Sequence, residues 1–250
     1  MNRIAAASLV GAASFAVMGF LASAFESQAP TGSVSSLFIL FMAAPSFLAA
    51  LRWLGVCRGT LILGLLAVAS LIVEALAVET GIPYGEFQYG TDIGTLVFGK
   101  VPWTVPFAYL PMLLGAIALA GNAKFGYRSW LKLCALASFV NVAIDLAVDP
   151  AAVAASFWQW STPGYYYGVP LINFAGWLLT GFIYSSIFYF FARSKIRDGG
   201  IPIRLSISLL WILCFWSAFL IDRGILLPAC VGIVLTIAIV SALLREKKGI

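Results

Sequence analysis

The sequence predicts an all-α, polytopic membrane helix bundle of about eight transmembrane helices, with seven as the alternative count. Three observations predict it. Apolar runs near 20 residues recur along the whole chain, the length that crosses the hydrocarbon core of a bilayer. Apolar residues make up 62% of the chain and charged residues only 10%, against about 25% charged in a soluble domain. Basic residues gather at alternate ends of the apolar runs. No stretch is polar enough for a soluble domain, so residues 1–250 are expected to form a single integral membrane domain.

The runs fall near 4–24, 35–54, 59–79, 104–122, 130–150, 170–192, 203–221 and 224–244. The first resembles a signal peptide, with Arg3 ahead of an apolar stretch ending Ala22-Ser23-Ala24, but is expected to remain as a span. Only Asp222-Arg223-Gly224 separates the last two runs, and the seven-span alternative treats them as one broken element. With the N-terminus inside, the cytoplasmic segments hold Arg3, Arg52, Arg58, Lys124, Arg128, Lys132, Arg193, Lys195, Arg197, Arg204, Arg245, Lys247 and Lys248. Only Lys100 and Arg223 fall on the other side. This bias predicts an N-in, C-in protein of the cell membrane. It also accounts for the net charge of +5 without an acidic partner, and no basic patch points to nucleic acid.

The chain contains no histidine, which disfavours haem, His-rich di-iron centres and most zinc or copper sites. Cys57, Cys134, Cys214 and Cys230 lie in separate segments without CxxC pairing and read as apolar packing residues. No cofactor and no metal are expected.

The outer loops, near 25–34, 80–103, 151–169 and 222–224, are not uniformly hydrophilic. The two long ones hold Tyr84, Phe87, Tyr89, Trp103, Phe157, Trp158, Trp160, Tyr165, Tyr166 and Tyr167. Between these stand Gly81, Pro83, Gly85, Gly90, Gly164, Gly168 and Pro170, a density that sets tight turns and close backbone approach. Both loops are therefore expected to fold back over the bundle as a lid. A short echo follows each loop: Phe107-Ala108-Tyr109-Leu110 and Phe174-Ala175-Gly176-Trp177.

The acids are few and clustered. Glu74 lies about one turn before the outer end of the third span, with Ser70 four residues earlier. Asn141, Asp145 and Asp149 recur every fourth residue and form one polar stripe on the fifth. A carboxylate inside a span is costly and faces the bundle interior. With no cation near in sequence, the neutral acid is the cheaper form, and it can donate a proton. Glu74, Glu79, Glu86, Asp92, Asp145 and Asp149 all map to one side of the membrane, near the aromatic loops. Glu79, Glu86 and Asp92 are the most readily solvated of these. The catalytic candidates are Glu74, Asp145, Asp149, Glu79 and Glu86. The substrate-binding candidates are Tyr84, Phe87, Tyr89, Trp158, Trp160, Tyr165, Tyr166, Tyr167, Asn173 and Trp177. Acid donors beside a Trp and Tyr cage suit protonation of an alkene. Aromatic faces stabilise the resulting tertiary cation by about 0.5–2 kcal/mol each.

Glu74 with Thr80-Gly81-Ile82-Pro83-Tyr84-Gly85-Glu86-Phe87-Gln88-Tyr89, then Asp145-Leu-Ala-Val-Asp149-Pro150, Phe157-Trp158 and Gly164-Tyr165-Tyr166-Tyr167-Gly168-Val169-Pro170-Leu-Ile-Asn173-Phe174-Ala-Gly176-Trp177, resembles the CruF-type carotenoid hydratase (bisanhydrobacterioruberin hydratase) family. The resemblance covers residues 70–180. It departs at Ala77, where a glycine is expected. It implies water addition across the terminal 1,2 double bond of an acyclic carotenoid ψ-end, without a cofactor. The implied substrate comes from the bilayer and reacts near the extracytoplasmic face. It also implies association with membrane lipid and with other membrane enzymes of the carotenoid pathway.

Two other classes compete. A proton-coupled carrier also places acids inside the membrane, but needs polar groups leading to both faces, whereas spans three to six have none in their inner halves apart from basic flanks. A prenyltransferase would use the Asp stripe for Mg²⁺-diphosphate, yet needs further acids and basic residues than Lys100 supplies.

Overall fold

The computed structural model describes residues 3–25, 32–90, 94–123 and 129–246. Eight α-helices appear among them: α1 Arg3–Ala24, α2 Gly32–Leu54, α3 Val56–Thr80, α4 Val105–Gly121, α5 Trp130–Ala154, α6 Leu171–Gly199, α7 Ile207–Asp222 and α8 Leu226–Arg245. A 3-10 turn, Ile203–Ser206, leads into α7. Short strands occur only in the two long loops: β1 Phe87–Tyr89, β2 Leu96–Val97, β3 Val101–Pro102 and β4 Trp158–Trp160. The chain is an all-α, multi-pass membrane bundle. Asp92, Lys124, Arg128, Lys247 and Lys248 lie outside the described residues.

Seven of the described helices, counting α7 with its 3-10 lead-in as Ile203–Asp222, are long and apolar enough to cross a membrane. The exception, α4, has 17 residues, about 26 Å of helix against a hydrocarbon core near 30 Å. It sits in the middle, packed on α2, α3 and α5, and every residue from Tyr109 to Ala118 is buried. A helix apolar on all sides and enclosed by others does not have to match the lipid. The last hairpin is two full helices: α7 and α8 pack side by side across a turn at Arg223–Ile225.

Local chemistry explains the joins. Gly55 alone links α2 to α3 with φ of 85°, a left-handed conformation in which a side chain is strained. α5 runs through Pro150 to Ala154, one turn beyond the expected end. Proline lacks the N–H that would bond the carbonyl four residues back. The Tyr166 hydroxyl donates to that Leu146 carbonyl instead, at 2.9 Å. α1 presents Ala5, Ser8, Ala12 and Gly19 among its buried residues, the small residues that let membrane helices approach closely, and it packs mainly on α7.

Charged groups mark the two ends. At one end, Arg223 donates through Nε to Ser23 Oγ at 2.7 Å, and Lys100 pairs with Glu79. At the other, Arg58 donates to Ser194 Oγ at 2.9 Å and Arg204 Nε to Glu246 Oε2 at 2.9 Å. The two aromatic loops lie at the first end.

They are one structure. β1 pairs antiparallel with β4 in the register Phe87 to Trp160, Gln88 to Gln159 and Tyr89 to Trp158. Side chains alternate faces along a strand, so the four aromatics turn toward the helices while Gln88 and Gln159 face out, both exposed. β2 and β3 form a separate hairpin beside this lid.

This register is testable. Cysteines at Gln88 and Gln159 face each other across the ladder, about 5.5 Å apart at Cα, inside the disulfide range of roughly 4.4–6.8 Å. The double variant is expected to cross-link under mild oxidation, read by protease cleavage between the loops and a gel shift. A control pair at Gln88 and Tyr165 is expected to stay open.

Candidate active site

The acidic stripe on α5 decides the site. Asp145 is fully buried and Asp149 is 2% exposed. No described cation is paired with either. Asn173, in the first turn of α6, holds both: its Nδ2 donates to Asp145 Oδ2 at 2.9 Å and to Asp149 Oδ2 at 2.5 Å. The two carboxyls also lie close enough to interact with each other.

Glu74, on α3, faces Asp149 across a cavity of about 80 Å³ lined by both. Its Oε2 accepts from the Tyr89 hydroxyl at 2.9 Å. Burial, and after it the neighbouring Glu74, pushes the Tyr89 pKa well above that of an ordinary tyrosine, so Tyr89 serves as a hydrogen-bond donor and not as a base. One water needs roughly 10–15 Å³ on the same measure. The chamber therefore takes a few waters or the tip of one slender chain.

The lid supplies the walls. Phe87, Tyr89, Trp158 and Trp160 all line the cavity. Phe87 meets Trp160 at 6.0 Å between ring centroids, and Tyr89 meets Trp158 edge-on at 6.1 Å. Trp160 Nε1 donates to the Tyr84 carbonyl at 2.9 Å, and the Tyr84 hydroxyl to Thr180 Oγ1 at 3.1 Å. These bonds tie the first loop to the second and to α6. Gly176 makes the seating possible. A Cβ there would stand 2.6 Å from the Tyr84 ring and 2.7 Å from the Pro83 carbonyl, closer than real side chains approach. The two echo segments also meet, with Tyr109 on α4 edge-on to Trp177 on α6 at 5.4 Å.

Of the sequence candidates, the structure brings together Glu74, Asp149, Tyr84, Phe87, Tyr89, Trp158, Trp160, Asn173 and Trp177 at the cavity wall. Asp145 is not at the wall, and shares the Asn173 amide with Asp149. Other candidates fall elsewhere. Glu79 is in the last turn of α3, with a side chain 57% exposed and paired with Lys100. Glu86 is exposed because it precedes Phe87 on an alternating strand and so points outward with Gln88. Tyr165 and Tyr167 point away into the open, and Tyr166 is occupied with the Leu146 carbonyl and the Phe174 ring. Tyr166 braces the end of α5, and none of the three tyrosines lines the cavity. The sequence reading missed Thr104, Tyr109 and Met112, which also line the cavity. Tyr109 had a signal: it is the one tyrosine in an otherwise apolar span, and a buried tyrosine hydroxyl needs a partner. Among the described residues no three of His, Cys, Asp and Glu converge as a metal site.

Residues 34–239 match the family model described as carotenoid biosynthesis protein. The chain belongs to the carotenoid biosynthesis protein family. It is also 41% identical over 145 residues to a protein of Haloarcula japonica named bisanhydrobacterioruberin hydratase. That match covers 56% of this chain and 48% of the relative, so the chain spans about half the length of its curated relative. No solved structure matches it.

In this chain a single amide holds both acids. Replacing Asn173 with Leu here is expected to leave both carboxyls without their buried donor. That costs about 2–3 kcal/mol and is measurable as a lowered midpoint of thermal unfolding in detergent. Glu79→Gln, which removes only an exposed ion pair, is expected to shift it by less than about 1 kcal/mol.

Proposed function

We propose that this chain is a carotenoid hydratase, a cofactor-independent hydro-lyase that adds water across the terminal 1,2 double bond of an acyclic carotenoid ψ-end. The observation that carries the reading is Glu74 facing Asp149 across a cavity walled by Phe87, Tyr89, Trp158 and Trp160. The family and the name of the Haloarcula relative support it.

The chemistry follows from the parts. Protonated Glu74 delivers H⁺ to C2. The π electrons of the C1=C2 bond form the new C–H bond and leave a tertiary cation at C1. The faces of Trp158, Trp160 and Tyr89 stabilise that charge, and the closed lid keeps bulk water from it. The aspartate pair, Asp149 and Asp145, held by Asn173, takes the proton from a water whose oxygen bonds to C1. The product is a tertiary alcohol. The gained proton then returns across the cavity from the aspartate pair to Glu74, which restores the starting state.

In this reading the polyene lies in the bilayer between helices and its end enters the chamber from the membrane. The site belongs to the extracytoplasmic face, because the opposite end of the bundle carries most of the Lys and Arg. The small chamber suits a gem-dimethyl chain end.

Expression in a lycopene-producing bacterial host is expected to yield pigment heavier by one molecule of water, read by mass spectrometry. Bisanhydrobacterioruberin is tested in the same way with membranes from the expressing cells. No mass change with either would overturn the reading and favour the proton-coupled carrier. Glu74→Gln and Asp149→Asn are each expected to lower hydration by about 10²–10⁴-fold, the weight of a general acid or base, with the protein still present in the membrane. Trp158→Ala is expected to slow the reaction by roughly 2- to 30-fold, the weight of one aromatic face on the cation, with the product unchanged.

A further inference from the structure

At the aspartate pair and beneath it, three buried side chains carry polar atoms without hydrogen-bond partners. Asn141, one helical turn deeper on α5 than Asp145 and fully buried, has neither Oδ1 nor Nδ2 bonded. Asp145 Oδ1 and the Tyr109 hydroxyl are also unbonded. All three belong to residues at most 8% exposed. Tyr109 faces Asn141 from α4 without direct hydrogen-bond geometry between them, and Tyr109 itself lines the cavity. Asn141 is held in place by α6, where Gly181 leaves room for it: a Cβ there would meet its Nδ2 at 3.1 Å.

Buried polar groups left unpaired cost about 1–3 kcal/mol each. Several turned toward one another, at the inner end of a cavity, are the usual surroundings of a bound water, which makes about three hydrogen bonds. The donor and acceptor set is complete for one. Tyr109 O–H and Asn141 Nδ2 donate, while Asn141 Oδ1 and Asp145 Oδ1 accept.

We propose that Tyr109, Asn141 and Asp145 bind the water that is added to the substrate. The inference rests on the hydratase reading and assigns the water to the deep end of the chamber. Asp145 Oδ1 accepts one of its hydrogens and aims a lone pair of its oxygen toward the cavity. When C1 becomes cationic, that oxygen forms the C–O bond. The hydrogen held by Asp145 passes to the aspartate pair as a proton, and the pair then supplies Glu74. Asp145 is thus the immediate base, acting through water without lining the wall. Tyr109 and Asn141 are positioning residues. The division of labour fits the order of the carbons, because a chain entering tip first carries C1 deeper than C2. Water waits at the inner end and the acid acts from the side wall.

The test separates water capture from proton delivery. Membranes holding wild-type protein, Tyr109→Phe or Asn141→Leu are incubated in D₂O with bisanhydrobacterioruberin. Hydrated product and deuterium in the unhydrated carotenoid are measured together. A cation that finds no water loses a proton again, and in D₂O it returns as labelled or isomerised alkene. Tyr109→Phe is expected to lower the ratio of hydration to exchange by about tenfold, the weight of one lost hydrogen bond to a bound water. Asn141→Leu is expected to lower it further. Tyr109→Phe keeps the ring contacts with Trp177 and Tyr184, so it decides the question if Asn141→Leu does not accumulate. An unchanged ratio in Tyr109→Phe, or a parallel fall of both readouts, would overturn the proposal and leave these residues a structural role. Wild-type protein that neither hydrates nor exchanges would instead overturn the hydratase reading itself.

Discussion

Two carboxyls buried side by side on one helix, with no described cation paired to them, are the constraint on which the rest of this molecule depends. Such a pair contributes little stability, because desolvation of a buried charge consumes what its contacts return. Everything around Asp145 and Asp149 limits that cost. Asn173 gives its amide to both, and α6 brings that amide in on its first turn. Gly181 lets α5 and α6 approach where Asn141 lies between them, and Tyr166 satisfies the carbonyl that Pro150 leaves free one turn away. An arrangement that offers stability no advantage is best understood through its chemistry.

The second requirement is exclusion of water from that chemistry. Here the fold uses β-structure inside an otherwise helical protein. Six residues, three from each long loop, pair as a short ladder and place four aromatic rings on one face. A three-residue strand has little stability alone. It persists because Trp160 bonds the Tyr84 carbonyl, Tyr84 bonds Thr180 and the Tyr84–Pro83 segment rests on Gly176. The lid is therefore anchored to the same helix that carries Asn173, and cage and acids share one support.

Much of this was legible in the chain. Span positions emerged within about a turn, apart from the end of α6, which runs past the expected 192 to Gly199, because membrane length and backbone satisfaction leave helices little choice. The Asn141, Asp145 and Asp149 stripe was legible because a helix returns to the same face about every fourth residue. The Gly and Pro density of the two loops showed that they fold back. Their pairing with each other was not visible, because a ladder of three residues has no sequence period long enough to read. For the same reason the inward set of Phe87, Tyr89, Trp158 and Trp160 could not be told from Tyr165, Tyr166 and Tyr167. All are aromatic, and only register decides which face each takes.

By itself the sequence determined the helical membrane class and the shared end for acids and aromatics, since both follow from composition and local spacing. Tertiary structure alone decided that Glu74, fifteen residues from Tyr89 and on a different helix from Asp149, meets both at one cavity. It also withdrew Glu79 to an ion pair with Lys100 and turned Glu86 outward. The physical reason is that a carboxyl's chemistry is set by what surrounds it in space, and those neighbours arrive from α4, α6 and the opposite loop, at separations no local pattern encodes.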